Sequence, residues 1–192
     1  MSGETLVEWI GAGAGLACVW LLARASIWNW PVSILNTVLY FAVFLRAGLY
    51  AESALQVVFT ALGVYGWWSW RYGGAAGSEL PIRRAAPREA WIAAGLALAG
   101  VALSALVLVS ATDSTVPVWD SSVLVLSLVA TFAQARKVLE SWWVWILVDL
   151  ISVPLYLTRE LYPTALLYTL YLALCVVGLR RWIALLRAQT AA

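Results

Sequence analysis

Runs without Asp, Glu, Lys or Arg dominate the chain. Four are uninterrupted, at 25–45, 53–70, 90–112 and 161–179, and three more hold one acid each: 6–23 with Glu8, 118–135 with Asp120 and 141–158 with Asp149. Crossing the hydrocarbon of a bilayer takes about 20 mostly apolar residues as a helix. The pattern therefore predicts an all-α polytopic membrane protein with seven transmembrane helices. One extended polar stretch, RYGGAAGSELPIRRAAPRE at 71–89, is rich in Gly, Pro and Arg and reads as an aqueous loop between helices 3 and 4. It divides the chain into a first bundle at 6–71, a loop with linker helix at 72–112, and a second bundle at 118–183.

Composition supports this class and excludes others. Of 192 residues 64% are hydrophobic and 11% charged, against about a quarter charged in soluble domains. A soluble domain of this size could not hide so much apolar surface. Glu4 and Glu8 stand where a signal peptide would have its basic region, so the first helix is expected to remain. Placing each Lys and Arg on alternating sides collects Arg24, Arg71, Arg83, Arg84, Arg88, Arg136, Lys137, Arg180, Arg181 and Arg187 on one side and leaves Arg46 and Arg159 for the other. That bias predicts an external N-terminus and a cytoplasmic C-terminus in a plasma (inner) membrane. No nucleic-acid patch emerges. Cys18 and Cys175 lie in apolar runs and read as small buried hydrophobes. Among 13 tryptophans, Trp9, Trp91, Trp119 and Trp182 lie near segment ends, as interfacial anchors would.

Sliding the chain against itself by 112 residues aligns its halves without a gap. Trp30 meets Trp142, Leu49 and Tyr50 meet Leu161 and Tyr162, Leu55 meets Leu167, Gly66 meets Gly178, Trp70 meets Trp182, Arg24 meets Arg136, and Glu8 meets Asp120. Matched Trp, Tyr, Gly and Arg at one offset are hard to obtain from shared Leu and Val content alone. Each half then holds three helices. An odd number of spans reverses the chain, and helix 4 carries it back, so the two triple-helix repeats run parallel in a 3+1+3 plan.

Polar residues at membrane depth are costly and face a cavity or another helix. Helix 2 carries Asn29, Ser33, Asn36 and Tyr40 on one face, and helix 6 carries Trp145, Asp149, Ser152 and Tyr156 with the same rhythm. The offset places Trp145 and Ser152 on Ser33 and Tyr40, so the stripes are expected to face each other. Helix 5 adds Ser127, Thr131 and Gln134, and helix 3 adds Gln56, whose repeat partner is Tyr168. For Ser33, Ser127, Thr131 and Ser152, hydrogen bonding between helices is the favoured role. Asp149 needs a cationic partner, water, a proton or a positively charged ligand, and no Lys or Arg shares its depth in helix 6. Trp142, Trp143 and Trp145 beside it suit either a packed core or an aromatic wall for a flat cation. Pro154 is expected to kink helix 6, and Gly11 and Gly15 suggest close packing of helix 1.

The absence of histidine removes His-based hydrolysis and ordinary zinc sites, and no phosphate loop or dinucleotide fingerprint exists. No enzyme activity, metal or cofactor is therefore expected. The sole lysine, Lys137, falls in a loop, which excludes a retinal Schiff base in the last helix. The stretch WPVSILNTVLYFAVFLRAGLYAESALQVVFTALGVYGWWSW at 30–70 and the segment 119–168, with ARKVLESWWVWILVD, resemble the PnuC-type vitamin transporters. The resemblance covers nearly the whole chain. It implies a fold like that of the SWEET sugar transporters, commonly a homotrimer, which moves nicotinamide riboside by facilitated diffusion with trapping by a cytoplasmic kinase. The polar and aromatic positions it carries over are Asn36, Gln56, Trp142, Trp145, Asp149 and Tyr156, to which Tyr40 is added from the helix 2 stripe and Gln134 from helix 5. Some nicotinamide riboside carriers have Asn where this chain has Asp149. Relatives move riboflavin or thiamine, and an ionised carboxylate favours a cationic vitamin over neutral riboflavin. A sugar facilitator of the same architecture would have little use for Asp149, and a receptor or scaffold would have only short polar segments to work with.

Overall fold

The computed structural model describes residues 3–46, 48–111 and 115–191. These form seven α-helices: α1 (Gly3–Ala23), α2 (Asn29–Arg46), α3 (Tyr50–Tyr72), α4 (Pro87–Ala111), α5 (Pro117–Ala135), α6 (Ser141–Thr158) and α7 (Tyr162–Ala191), with a short 3-10 turn at Ala75–Gly77. The side chains of Glu8 and Trp9, and residue Thr112, lie outside the described residues. Pro31, Pro87, Pro117 and Pro163 all stand in first helical turns, where the missing N–H costs nothing. Pro154 lies inside α6, which runs on through it. Helix 2 begins at 29 rather than 25, because Ala25 takes a left-handed φ of 53° and breaks the backbone there. Helix 7 runs twelve residues beyond the expected 179, since nothing after Gly178 breaks it.

By length and composition α4, α5, α6 and α7 can each cross a membrane. The helices pack in the cyclic order α1, α2, α3, α5, α6, α7 and back to α1, and α4 stands outside this ring against α5. Small residues make that outer contact: Gly100 receives Val125, and Ser121 donates to Ser104 at 3.1 Å. No residue of α4 is buried, as suits a helix surrounded by lipid.

The 112-residue offset recurs in the backbone. Ala25 and Lys137 are both left-handed, with φ of 53° and 48°, as are Gly48 and Glu160, with φ of 75° and 59°. The two turns close with matching bonds, Ser26 N–H to Leu21 O and Val138 N–H to Ala133 O, each at about 3 Å. Trp30 packs on Gly66, and Trp142 packs identically on Gly178. Trp30 meets Trp70 edge to face at 5.5 Å and 86°, and Trp142 meets Trp182 at 5.6 Å and 85°. Trp70 and Trp182 meet each other at 5.9 Å, so four indoles share the core. Trp182 is thus wholly buried and is no interfacial anchor, whereas Trp91 and Trp119 are exposed as expected.

The linker after α3 is less aqueous than its composition suggests. Ile82 is buried in the same core. Leu80 N–H bonds Trp70 O, Arg83 pairs with Lys137 and Leu139 at 3.0 and 2.8 Å, and Ala85 N–H bonds the Glu140 carboxylate. Lys137, also buried, gives its Nζ to Leu80 O at 2.7 Å and stands 4.6 Å from the centre of the Trp70 ring. Burial pulls this ammonium below its ordinary pKa, with Glu79 acting against the shift.

Candidate functional site

A cavity of about 250 Å³ lies inside the ring, and all six ring helices line it. Much of its wall consists of residues that the offset interchanges: Gly15 with Ser127, Val19 with Thr131, Leu22 with Gln134, Trp30 with Trp142, Ser33 with Trp145, Asn36 with Val148, Thr37 with Asp149, Phe59 with Tyr171, and Gly63 with Cys175. The cavity therefore sits on the pseudo-symmetry axis between the halves. The two halves give it different chemistry.

Of the eight residues singled out from the sequence, Asn36, Gln134, Trp142, Trp145 and Asp149 line the cavity. Tyr40, Gln56 and Tyr156 do not. Tyr40 crosses to α1, where its ring occupies the space beside Gly11 and stacks on Phe44. Tyr156 lies one ring further out, 5.0 Å from Tyr168, which in turn meets Tyr171 at 5.6 Å. The stripes thus meet at the cavity over part of their length only: Asn29, Ser33 and Asn36 of α2, and Trp145 and Asp149 of α6. Ser152 is fully buried away from it without a hydrogen-bond partner. Ser33, Ser127 and Thr131 belong to the wall, although Thr131 also donates to Ser127 O at 2.7 Å, as a packing residue would.

Asp149 is 2% exposed. Its Oδ2 accepts from the Cys175 thiol at 3.4 Å, and among the described residues no Lys or Arg lines the cavity. An ionised carboxylate buried without a counter-charge costs several kcal/mol, and a thiol is too weak a donor to offset that. The group calls for a cation, a proton or water. Both cysteines line the cavity; Cys175 is buried in the core, as expected of a small apolar side chain, and Cys18 is half-buried. Trp145 Nε1 donates to Gln134 Oε1 at 2.6 Å, which fixes the amide, because an indole can only donate. Gln134 Nε2 is left buried without a partner, as are the Nε1 atoms of Trp30 and Trp142. Among the described residues no group of three His, Cys, Asp or Glu could hold a metal.

Sequence reasoning passed over Cys18, Trp30, Phe59, Tyr171 and Cys175. The repeat was the available signal for most of these: Trp30 is the equivalent of Trp142, and the pairs Phe59 with Tyr171 and Gly63 with Cys175 fall one helical turn apart on α3 and α7. Gly11 and Gly15 do admit close packing, but of tyrosine side chains: Tyr40 from α2 and Tyr171 from α7.

Comparison with known proteins places this architecture. The family described as nicotinamide mononucleotide transporter matches residues 5–184. The riboflavin/roseoflavin transporter RibM of Streptomyces davaonensis is 35% identical over 179 residues, covering 91% of this chain and 83% of its own. The nicotinamide riboside transporter PnuC of Escherichia coli is 30% identical over 202 residues, covering 92% and 84%. The crystal structure of the vitamin B3 transporter PnuC superposes with a TM-score of 0.76 at 23% identity, over 97% of this chain and 84% of that one.

Proposed function

The chain belongs to the nicotinamide mononucleotide transporter family, which makes it a membrane vitamin transporter of the PnuC kind, and on that premise we propose that it takes up nicotinamide riboside by facilitated diffusion. The observation that carries the substrate is Asp149, a buried carboxylate in an aromatic cavity without any basic side chain among the described residues. Nicotinamide riboside bears a flat cationic ring. The carboxylate would supply its counter-charge, and Trp145, Tyr168 and Tyr171 would supply faces on which the ring stacks, with Trp142 packed behind them. Asn36 and Gln134 would meet the ribose hydroxyls and the carboxamide.

In this reading all seven helices span the membrane as two parallel triple-helix bundles, 6–71 and 118–183, joined by 72–112, in the SWEET-like 3+1+3 plan. The N-terminus is outside and the linker cytoplasmic, on the ten-to-two distribution of basic residues. The bundles rock about the central site to give alternating access, a cytoplasmic kinase traps the carried nucleoside for NAD synthesis, and the chain works as a homotrimer. A membrane potential of 100 mV, negative inside, is worth roughly 2.3 kcal/mol per charge, a ratio of about 50, so a uniporter accumulates the cation without sodium or proton coupling.

A second reading, riboflavin transport, draws on the 35% identity to RibM. Uptake into proteoliposomes decides, with labelled nicotinamide riboside, thiamine and riboflavin competing, and the pH gradient and potassium-diffusion potential set independently. Nicotinamide riboside should dominate, driven by the potential alone. Preference for riboflavin overturns the substrate, and concentrative uptake driven by protons at clamped potential overturns the uniport.

A further inference from the structure

The ring has two seams that the repeat interchanges, α3/α5 and α7/α1, and they are not fastened alike. At the linker end one indole closes each. Trp70 Nε1 donates to Gln134 O across α3/α5 at 3.0 Å, and Trp182 Nε1 donates to Leu22 O across α7/α1 at 3.1 Å. Residues 22 and 134 are themselves repeat equivalents, so this pair of bonds is symmetric.

Beyond it the symmetry ends. Across α3/α5 the linker lies as a strap, tied to α3 by Leu80 N–H on Trp70 O and to the α5–α6 turn by Lys137 Nζ on Leu80 O at 2.7 Å. The backbone pairing of Arg83 with Lys137 and Leu139 holds the strap down. At the equivalent place on the other seam stands Ala25 for Lys137, whose side chain can make no such bond. Trp28, the equivalent of Glu140, which anchors Ala85 of the strap, is 66% exposed.

We propose that the cavity opens to the linker end through the α7/α1 seam, with the strapped α3/α5 seam staying closed as the hinge. Two seams of equal strength would open equally often, whereas one extra bond from a charged donor biases the choice by about tenfold or more. The strap supplies that bias on one side only. The inference rests on the transporter reading for its purpose and is independent of which vitamin is carried.

Ala23 and Ala135 are repeat equivalents, both buried, one at each seam, and cysteine is close to alanine in size. Each cysteine variant is placed in lipid nanodiscs and its labelling by a membrane-impermeant maleimide is timed, with the parent chain and its own two cysteines as the blank. Ala23→Cys should label about tenfold faster than Ala135→Cys. Adding Lys137→Ala to Ala135→Cys should raise its rate toward that of Ala23→Cys. Equal rates, faster labelling at Ala135→Cys, or no labelling above the blank at either position overturns the proposal, as does an Ala135→Cys rate unmoved by Lys137→Ala. Elution as a single monodisperse species establishes that each variant is folded. Labelling needs no substrate, so a failure of nicotinamide riboside uptake with the asymmetry intact refutes the substrate alone.

Discussion

Replacing Asp149 by Asn keeps the shape of the side chain and removes one formal charge from a cavity that, among the described residues, holds no other charged side chain. Asp149 is 2% exposed, so a cationic ring bound beside it would be paired in a poorly solvated place. Two unit charges about 4 Å apart attract by about 4 kcal/mol at an effective dielectric constant near 20. Desolvation of the cation offsets part of this and leaves about 1.5–3 kcal/mol, the usual worth of a hydrogen bond to a charged group. Asp149→Asn should therefore weaken nicotinamide riboside binding by about 10- to 100-fold. The control is the dihydro form of the same nucleoside, whose ring is neutral and nearly the same shape, and its affinity should change by less than about threefold. Isothermal titration calorimetry on the purified protein measures both. Equal weakening of the two ligands would show that Asp149 acts through packing, and unchanged affinity for the cationic form would refute the charge argument altogether.

A Cβ added at Gly66 or Gly178 would land on the rings of Trp30 or Trp142, so Gly66→Ala and Gly178→Ala should each cost about 1–3 kcal/mol, read as a lower melting temperature by thermal shift. Gly13→Ala meets nothing within 4 Å and should leave the melting temperature unchanged or slightly raised; a drop matching that of Gly178→Ala would contradict the packing account. Trp145→Ala removes both a cavity wall and the anchor of Gln134, so it should weaken substrate binding more than Asn36→Ala, and unchanged affinity in both variants would return the two stripes to a packing role. Ser78 lies exposed in the linker, and Ser78→Cys in intact cells should resist an impermeant thiol reagent, whereas labelling from outside would reverse the proposed orientation.

The number of helices, their approximate spans, the repeat and the lopsided distribution of basic residues were all legible in the sequence. Each depends on local or pairwise properties of the chain: runs long enough to cross hydrocarbon, identities at one offset, and charges that stay out of apolar runs. The ring, the strap and the composition of the cavity required the tertiary structure. A helical period places residues on a face, but the face spans several elements' worth of surroundings along its length. Tyr40 and Asn36 share a stripe, yet only Asn36 reaches the cavity, because Gly11 opens a slot on α1 that takes the tyrosine ring. Cys175 looks like any small apolar residue until packing sets its thiol against Asp149. Lys137, a loop residue by its neighbours, is buried over Trp70, because a carbonyl 57 positions earlier in the chain accepts a hydrogen bond from its ammonium. Which of several equivalent polar residues meets a ligand, and which of two equivalent seams is fastened, is decided by contacts between segments far apart in sequence, and no local pattern encodes those distances.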